Sequence, residues 1–243
     1  TPKNSGQYGV AMHYKPEGVS LDLGFYFMNY HDKIPVLSTL ADGVSAQWTY
    51  LENRQLYGVS TNFPVGNWAV GWELSYRPKD AVALSSCFGP GGALDANSNP
   101  PGGALNCPLW IDEKKYQMHL TGLLSMTPGD HGWFLDLLAA DTATFTGEIV
   151  GIRYPGVSPD KRYTRTINGV TVVQVPAAAY GFWKGPPVTS EAGTFNSIAG
   201  LGDANSYGFT VDFNWAYDNK IFKGWTVTPG VTYFQAVKGN TPT

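Results

Sequence analysis

The chain has 243 residues, of which 14% are charged, 43% hydrophobic and 14% aromatic, with 29 glycines and a formal net charge of −3. An ordinary soluble domain carries roughly 25% charged residues, so this much apolar surface excludes a disordered chain, and the lack of a basic excess speaks against nucleic acid as a partner. No apolar run approaches the ~18 residues of a transmembrane helix, and the mean hydropathy is −0.17, which leaves a soluble all-β domain or a transmembrane β-barrel, whose alternating strands average out in hydropathy.

Period-two alternation predicts eight strands. Tyr8–Tyr14 sets Tyr8, Val10, Met12 and Tyr14 against Gly9, Ala11 and His13. Ser20–Tyr30 sets Leu21, Leu23, Phe25 and Phe27 against Asp22, Gly24, Tyr26 and Met28. Leu56–Phe63 opposes Tyr57, Val59, Thr61 and Phe63 to Gly58, Ser60 and Asn62. Trp68–Arg77 is the clearest, with Trp68, Val70, Trp72, Leu74 and Tyr76 on one face and Glu73, Ser75 and Arg77 among those on the other. Lys115–Met126 and Thr142–Arg153 follow; in the latter Val150 and Ile152 interrupt the pattern and suggest a bulge. Ser206–Tyr217 alternates cleanly, and Gly224–Val237 carries Pro229, awkward for a central strand.

The connections are Lys15–Val19, His31–Gln55, Pro64–Asn67, Pro78–Lys114, Thr127–Asp141, Tyr154–Asn205 and Asp218–Lys223. Short and long alternate throughout, as in an up-and-down meander crossing a bilayer, with short periplasmic turns and long extracellular loops. The predicted strands hold only seven charges, Asp22, Glu73, Arg77, Lys115, Glu148, Arg153 and Asp212. Most of these fall on the face of small and polar residues, where a wet lumen would spare them the roughly 2–4 kcal/mol of a lipid-facing charge at mid-bilayer. A β-sandwich with one polar face also alternates. The tyrosines and tryptophans near the strand ends favour the barrel, because such rings settle at membrane interfaces.

The expected fold is therefore an all-β, antiparallel up-and-down transmembrane β-barrel, with residues 1–243 forming a single segment of about eight strands and 78–114 and 154–205 its long extracellular loops. The inward face would carry Asp22, Tyr26, Met28, Glu73, Arg77, Gln117, His119, Glu148, Asp212 and Asn214. Either these strands close alone or further chain completes the wall, since unpaired strand edges cannot face lipid; the second is preferred.

Chemistry-bearing motifs are sparse. Cys87 and Cys107 flank a Gly-, Pro- and Asn-rich stretch within Pro78–Lys114. A disulfide between them is expected, stabilising by roughly 3 kcal/mol on the chain-entropy model. Asp95, Asn97 and Asn99 have the spacing of a calcium loop, but Pro100 stands where that loop turns and Asn106 takes the position of the closing glutamate, so a solvated turn is expected. His13, His31, His119 and His131 are scattered, without metal-ligand spacing. No Gly-x-Ser-x-Gly elbow occurs, and no cofactor is expected. In the longest loop, the β-branched run Ile167–Val175, including Val170 and Val172 and broken by Asn168-Gly169, reads as a hairpin. With the aromatic cluster Tyr180, Phe182 and Trp183 it is expected to fold over the pore mouth as a cap.

Several strings then resemble one family. Leu23-Gly-Phe-Tyr-Phe-Met-Asn-Tyr-His31 followed by Ile34-Pro35, Tyr57-Gly-Val-Ser60 followed by Val70-Gly-Trp-Glu-Leu-Ser-Tyr-Arg-Pro78, Ala140-Asp141 followed by Thr146-Gly-Glu148, and Gly230–Gly239 resemble the DUF1302 family of Gram-negative outer-membrane proteins. Members are much longer than this chain, so the resemblance implies missing residues on both sides. They often occur beside degradation pathways for hydrophobic compounds, which implies uptake or export. No catalytic residue carries over. The expected function is an outer-membrane channel for small hydrophobic or amphipathic molecules, with outer-membrane lipid and lipopolysaccharide as surroundings. The alternatives are a membrane-embedded lipid hydrolase, or a structural or adhesive barrel that binds a protein partner through its loops.

Overall fold

The computed structural model describes residues 3–39, 46–84, 107–158, 161–167, 170–174, 176, 184–190, 193–198, 202–239 and 241; within these, residues 39, 46, 107, 167, 170, 172, 173, 184–190 and 193–198 are described by their backbone alone. The alternating segments form strands because β-branched and aromatic side chains pack well on a pleated surface. In chain order these are β1 (Tyr8–Tyr14), β2 (Asp22–Tyr30), β3 (Val36–Thr39), β4 (Ala46–Thr49), β5 (Arg54–Val65), β6 (Trp68–Ala83), β7 (Cys107–Pro108) and β8 (Trp110–Met126). There follow α1 (Pro128–Leu138), β9 (Thr142–Arg153), β10 (Tyr163–Ile167), β11 (Val170–Gln174), β12 (Lys184–Ser190), β13 (Gly193–Ile198), β14 (Asn205–Asp218), β15 (Thr226–Val227) and β16 (Gly230–Lys238).

One 9-stranded antiparallel meander dominates, in the order β1-β2-β5-β6-β8-β9-β14, with β15 and β16 both paired to β14. All eight predicted segments lie in it. The sheet is open: β1 and β16 are its edges, and every residue of both is exposed. The last predicted segment is split, because Pro229 has no N–H to give the ladder; its carbonyl instead accepts from the Trp215 N–H at 3.1 Å. The expected bulge at Val150 and Ile152 is absent. β9 keeps unbroken register with both neighbours, and these two residues simply place apolar side chains on the polar face, opposite His119 and Gln117. The bulge lies elsewhere: Arg77 pairs Lys115 but Asp80 pairs Glu113, so Pro78 and Lys79 oppose the single residue Lys114.

The long connections contain more structure than loops. β6 and β8 run on past the expected boundaries to Ala83 and Trp110. β3 pairs with β4 and β7, joining two long connections. β10 and β11 form the expected hairpin, Ile167 opposite Val170, around Asn168 and Gly169, which lie outside the described residues. A bridge between Leu84 and Pro176 and a bond from Gln174 Nε2 to the Pro108 carbonyl tie the third long connection to the second.

The connection Thr127–Asp141 contains α1 rather than a plain loop. Pro128 fits the first turn, where its missing N–H has no intrahelical partner to lose. Ala139 ends the helix in the left-handed region at φ 51°, and the Ala140 N–H returns to the Leu135 carbonyl at 2.9 Å. Among the described residues, burial is concentrated in two small clusters. One joins Leu135, Ala140 and Ala143 to Met126, Phe213 and Trp215, packing α1 onto the sheet. The other joins Val82, Tyr154 and Val157 to Ile111 and Ile152 at the end carrying the long connections.

Candidate functional site

Strand register sorts side chains into two faces. Asp22 lies opposite Asn62, Asn62 opposite Gly71, Gly71 opposite Thr121, and Thr121 opposite Glu148. Following such rows places all ten expected inward residues, Asp22, Tyr26, Met28, Glu73, Arg77, Gln117, His119, Glu148, Asp212 and Asn214, on one face. We call it the polar face.

Two hydrogen-bonded groups organise it. In the first, the Tyr26 hydroxyl is 3.1 Å from Ser60 Oγ and 3.2 Å from His13 Nε2, while His13 Nδ1 is 3.1 Å from Asp22 and Lys15 Nζ is 3.4 Å from the same carboxylate. The tyrosine hydroxyl thus stands between the serine and the imidazole. Gly24 permits this: a Cβ there would lie 2.3 Å from the Tyr26 hydroxyl and 2.5 Å from Ser60 Oγ. In the second, Arg77 donates to Gln117 Oε1 at 3.3 Å, Gln117 Nε2 donates to His119 Nε2 at 2.6 Å, and His119 Nδ1 then donates to Glu148 Oε1 at 2.6 Å. Every donor in this relay points from the guanidinium toward the carboxylate. Glu73 lies opposite His119 in the register and makes no ion pair among the described residues. Asp212 accepts from the Thr232 hydroxyl, and Asn214 lies opposite Gly230, whose missing side chain leaves room for the amide.

At the long-connection end is a charged cluster that sequence reasoning missed. The Arg54 side chain, 4% exposed, reaches Asp112 at 2.6 Å and Asp32 at 3.5 Å, and lies over the Trp110 ring. Lys115 pairs with Asp80 at 3.2 Å, and the fully buried Tyr154 donates to the same carboxylate at 2.6 Å. Glu113 accepts from Lys161 at 2.9 Å and from the Tyr163 hydroxyl at 2.8 Å. Burial raises the Asp32 carboxyl above its ordinary range, opposed by the Arg54 charge. Burial and then the Glu113 contact push the Tyr163 phenol well up. These charges lie at strand ends and in connections, where no period marks them.

His31 and Asn29, in the string that resembles the family, form a buried clasp. The Asn53 N–H donates to His31 Nδ1 at 3.0 Å, leaving Nε2 to donate to the Ser5 carbonyl at 2.8 Å; Asn29 donates to the Gly6 carbonyl at 2.7 Å. Their role is to hold the segment before β1. Tyr180, Phe182, Trp183, Cys87, Asp95, Asn97 and Asn99 lie outside the described residues, and Cys107, Ile167, Val170 and Val172 contribute backbone only.

The opposite face is apolar, and many of its large side chains are exposed. Tyr8, Phe27, Tyr57, Tyr76 and Tyr116 run across five strands as a continuous row, with ring centroids 4.8–6.2 Å apart. Toward the short-turn end Trp68, Phe145, Phe213 and Trp215 form a second row. Between the rows lie Phe25, Val59, Leu74, Met118, Leu120 and Ile149.

Fold and site together define an all-β protein built on one antiparallel meander, with a hydrogen-bonded polar face backed by an exposed apolar one. The chain belongs to the DUF1302 family, described as a protein of unknown function, which matches residues 1–243. No curated protein and no solved structure matches it.

Proposed function

We propose that this meander is the wall of a transmembrane β-barrel in the Gram-negative outer membrane, and that the barrel passes small hydrophobic or amphipathic molecules. The carrying observation is the inversion of the usual soluble arrangement. Large apolar side chains, Phe25, Tyr57, Met118, Leu120 and Ile149 among them, stand exposed on one face, bounded by two aromatic rows, while most of the charges bond to one another on the opposite face. From Trp68 to Tyr76 a strand advances eight residues, about 26 Å at ~3.3 Å per residue. A tilt of ~40° reduces this to roughly 20 Å, close to the ~25 Å apolar band of such barrels.

On this reading lipid, including lipopolysaccharide at the long-connection end, covers the apolar face. The polar face lines the passage, where Met28, Val150 and Ile152 beside Arg77, His119 and Glu148 suit an amphipathic solute better than a simple ion. Tyr154 and Val157 pack with Val82, Ile111 and Ile152 on the polar side at that end, which supports a cap over the mouth. The bridge expected between Cys87 and Cys107, and most of the expected cap segment Ile167–Trp183, fall outside the described residues. Free edges at β1 and β16 call for further pairing before the sheet can meet lipid.

The test is permeation. The full-length chain reconstituted in liposomes is expected to admit amphipathic solutes of low mass faster than protein-free vesicles do. Deleting 167–183 should change that rate without unfolding the barrel. Folded, membrane-inserted protein that admits no solute would overturn the transport reading.

A further inference from the structure

We infer that α1 is an interfacial anchor, lying in the leaflet on the short-turn side with Trp133 and Leu137 among its lipids. The inference rests on the transmembrane reading above. α1 joins β8 to β9 on the side of the short turns, and it packs outward rather than across the polar face. Leu135 and Leu138 cluster with Met126, Ala143, Phe213 and Trp215, all on the apolar face, and the Phe134 ring meets Phe213 edge-on at 5.9 Å.

The helix is fixed there. The Tyr217 hydroxyl donates to the Leu138 carbonyl at 2.9 Å, Lys220 Nζ donates to the Ala139 carbonyl at 3.0 Å, and Trp215 Nε1 donates to the Tyr217 hydroxyl at 3.1 Å. With one side seated on the wall, Trp133 and Leu137 stay 75% and 76% exposed. They are four residues apart and so neighbours on the helix surface. In water, two large apolar side chains displayed on a rigid platform gain nothing. Beside an apolar face bounded by Trp68, Phe145 and Trp215 they continue that face outward, and an indole is well suited to the boundary between acyl chains and headgroups. The neighbouring Asp136 is also exposed and gives the helix a wet side. The geometry thus selects bilayer lipid as the occupant, rather than a second copy of the chain.

Site-directed nitroxides test this in the full-length chain carrying Cys87→Ser and Cys107→Ser, reconstituted in phosphatidylcholine vesicles. Labels are placed singly at Trp133→Cys, Leu137→Cys, Asp136→Cys and, as a mid-strand reference on the apolar face, Met118→Cys. Positions 118, 133 and 137 should be accessible to oxygen and lose broadening by a water-soluble nickel chelate, while 136 keeps it. Nickel broadening at 133 and 137 with 118 in lipid would overturn the anchor and spare the barrel. Protection of 133 and 137 from both reagents would point to a protein occupant and overturn it equally. Nickel access at 118 would overturn the transmembrane reading itself. As a check that keeps the native cysteines, brominated phosphatidylcholine should quench less total emission in Trp133→Phe than in the unsubstituted chain; equal losses would overturn the anchor.

Discussion

A missing side chain at position 24 lets Tyr26 lie along the sheet and hold Ser60 and His13 together. Gly24→Ala is expected to expel the ring, because the new Cβ would come within 2.3 Å of its hydroxyl. The loss of both bonds should cost about 1–2 kcal/mol, read as a lower denaturant midpoint in detergent. Tyr26→Phe keeps the ring and should cost less than Gly24→Ala; the reverse order would contradict the geometry. His31→Ala leaves the Asn53 amide and the Ser5 carbonyl without their partner. It should cost about 1–3 kcal/mol and expose the segment before β1 to limited proteolysis, with the remaining strands intact. At this scale the sequence was informative only where alternation reached. It assigned Arg77, Gln117, His119 and Glu148 to one face, but not their order as a relay, which depends on pairing across β6, β8 and β9. Asn29, His31 and Arg54 act through partners more than twenty residues away, and periodicity carries no trace of such contacts.

Among elements, the strands were legible because each buries or wets one face along its whole length. α1 was not, because Gly129 and Gly132 weaken its helical signal and its apolar residues contact β14, distant in sequence. Its exit is held by Asp141, which pairs with Lys220 at 2.8 Å and accepts from the Asp218 N–H at 2.8 Å. The Lys220 bond, then the amide, holds the Asp141 carboxyl below its ordinary 3.8. A carboxyl depressed by folding stabilises the folded state above its unfolded value and loses that contribution as the pH falls through its folded value. Thermal unfolding of Asp141→Asn should therefore fall less steeply than that of the unsubstituted chain between about pH 5 and about pH 2. Parallel curves would show that the pair carries no linkage. Asp32 has the opposite sign: burial raises it, so its contribution is greatest below 3.8 and is lost as the pH rises through its folded value.

For the molecule as a whole, the two faces make opposite demands on adjacent positions. Leu120 lies on the apolar face, opposite Trp72 and Ile149, and Thr121 lies on the polar face, opposite Gly71 and Glu148. If lipid covers the former, Leu120→Arg should cost about 2–4 kcal/mol, while Thr121→Arg, placed beside the Glu148 carboxylate, should be tolerated. Were the apolar face open to water and the polar face packed instead, the ranking would invert. Unfolding titrations of the two variants in lipid vesicles decide between these outcomes.

The two-for-one pairing at Pro78 and Lys79 has a consequence for the end of the sheet that carries the long connections. Past it, β6 has changed phase, so Asp80 and Val82 fall in step with Glu113 and Ile111 on the side where Tyr154 packs. Strict alternation from Arg77 would turn them the other way. Which face these side chains join is thus set by a parity of one residue. Inserting one residue beside Lys114 would square the pairing, leave the strands below unchanged and turn the upper hairpin over, sending the Asp80 carboxylate to the apolar side and stripping Tyr154 of its anchor.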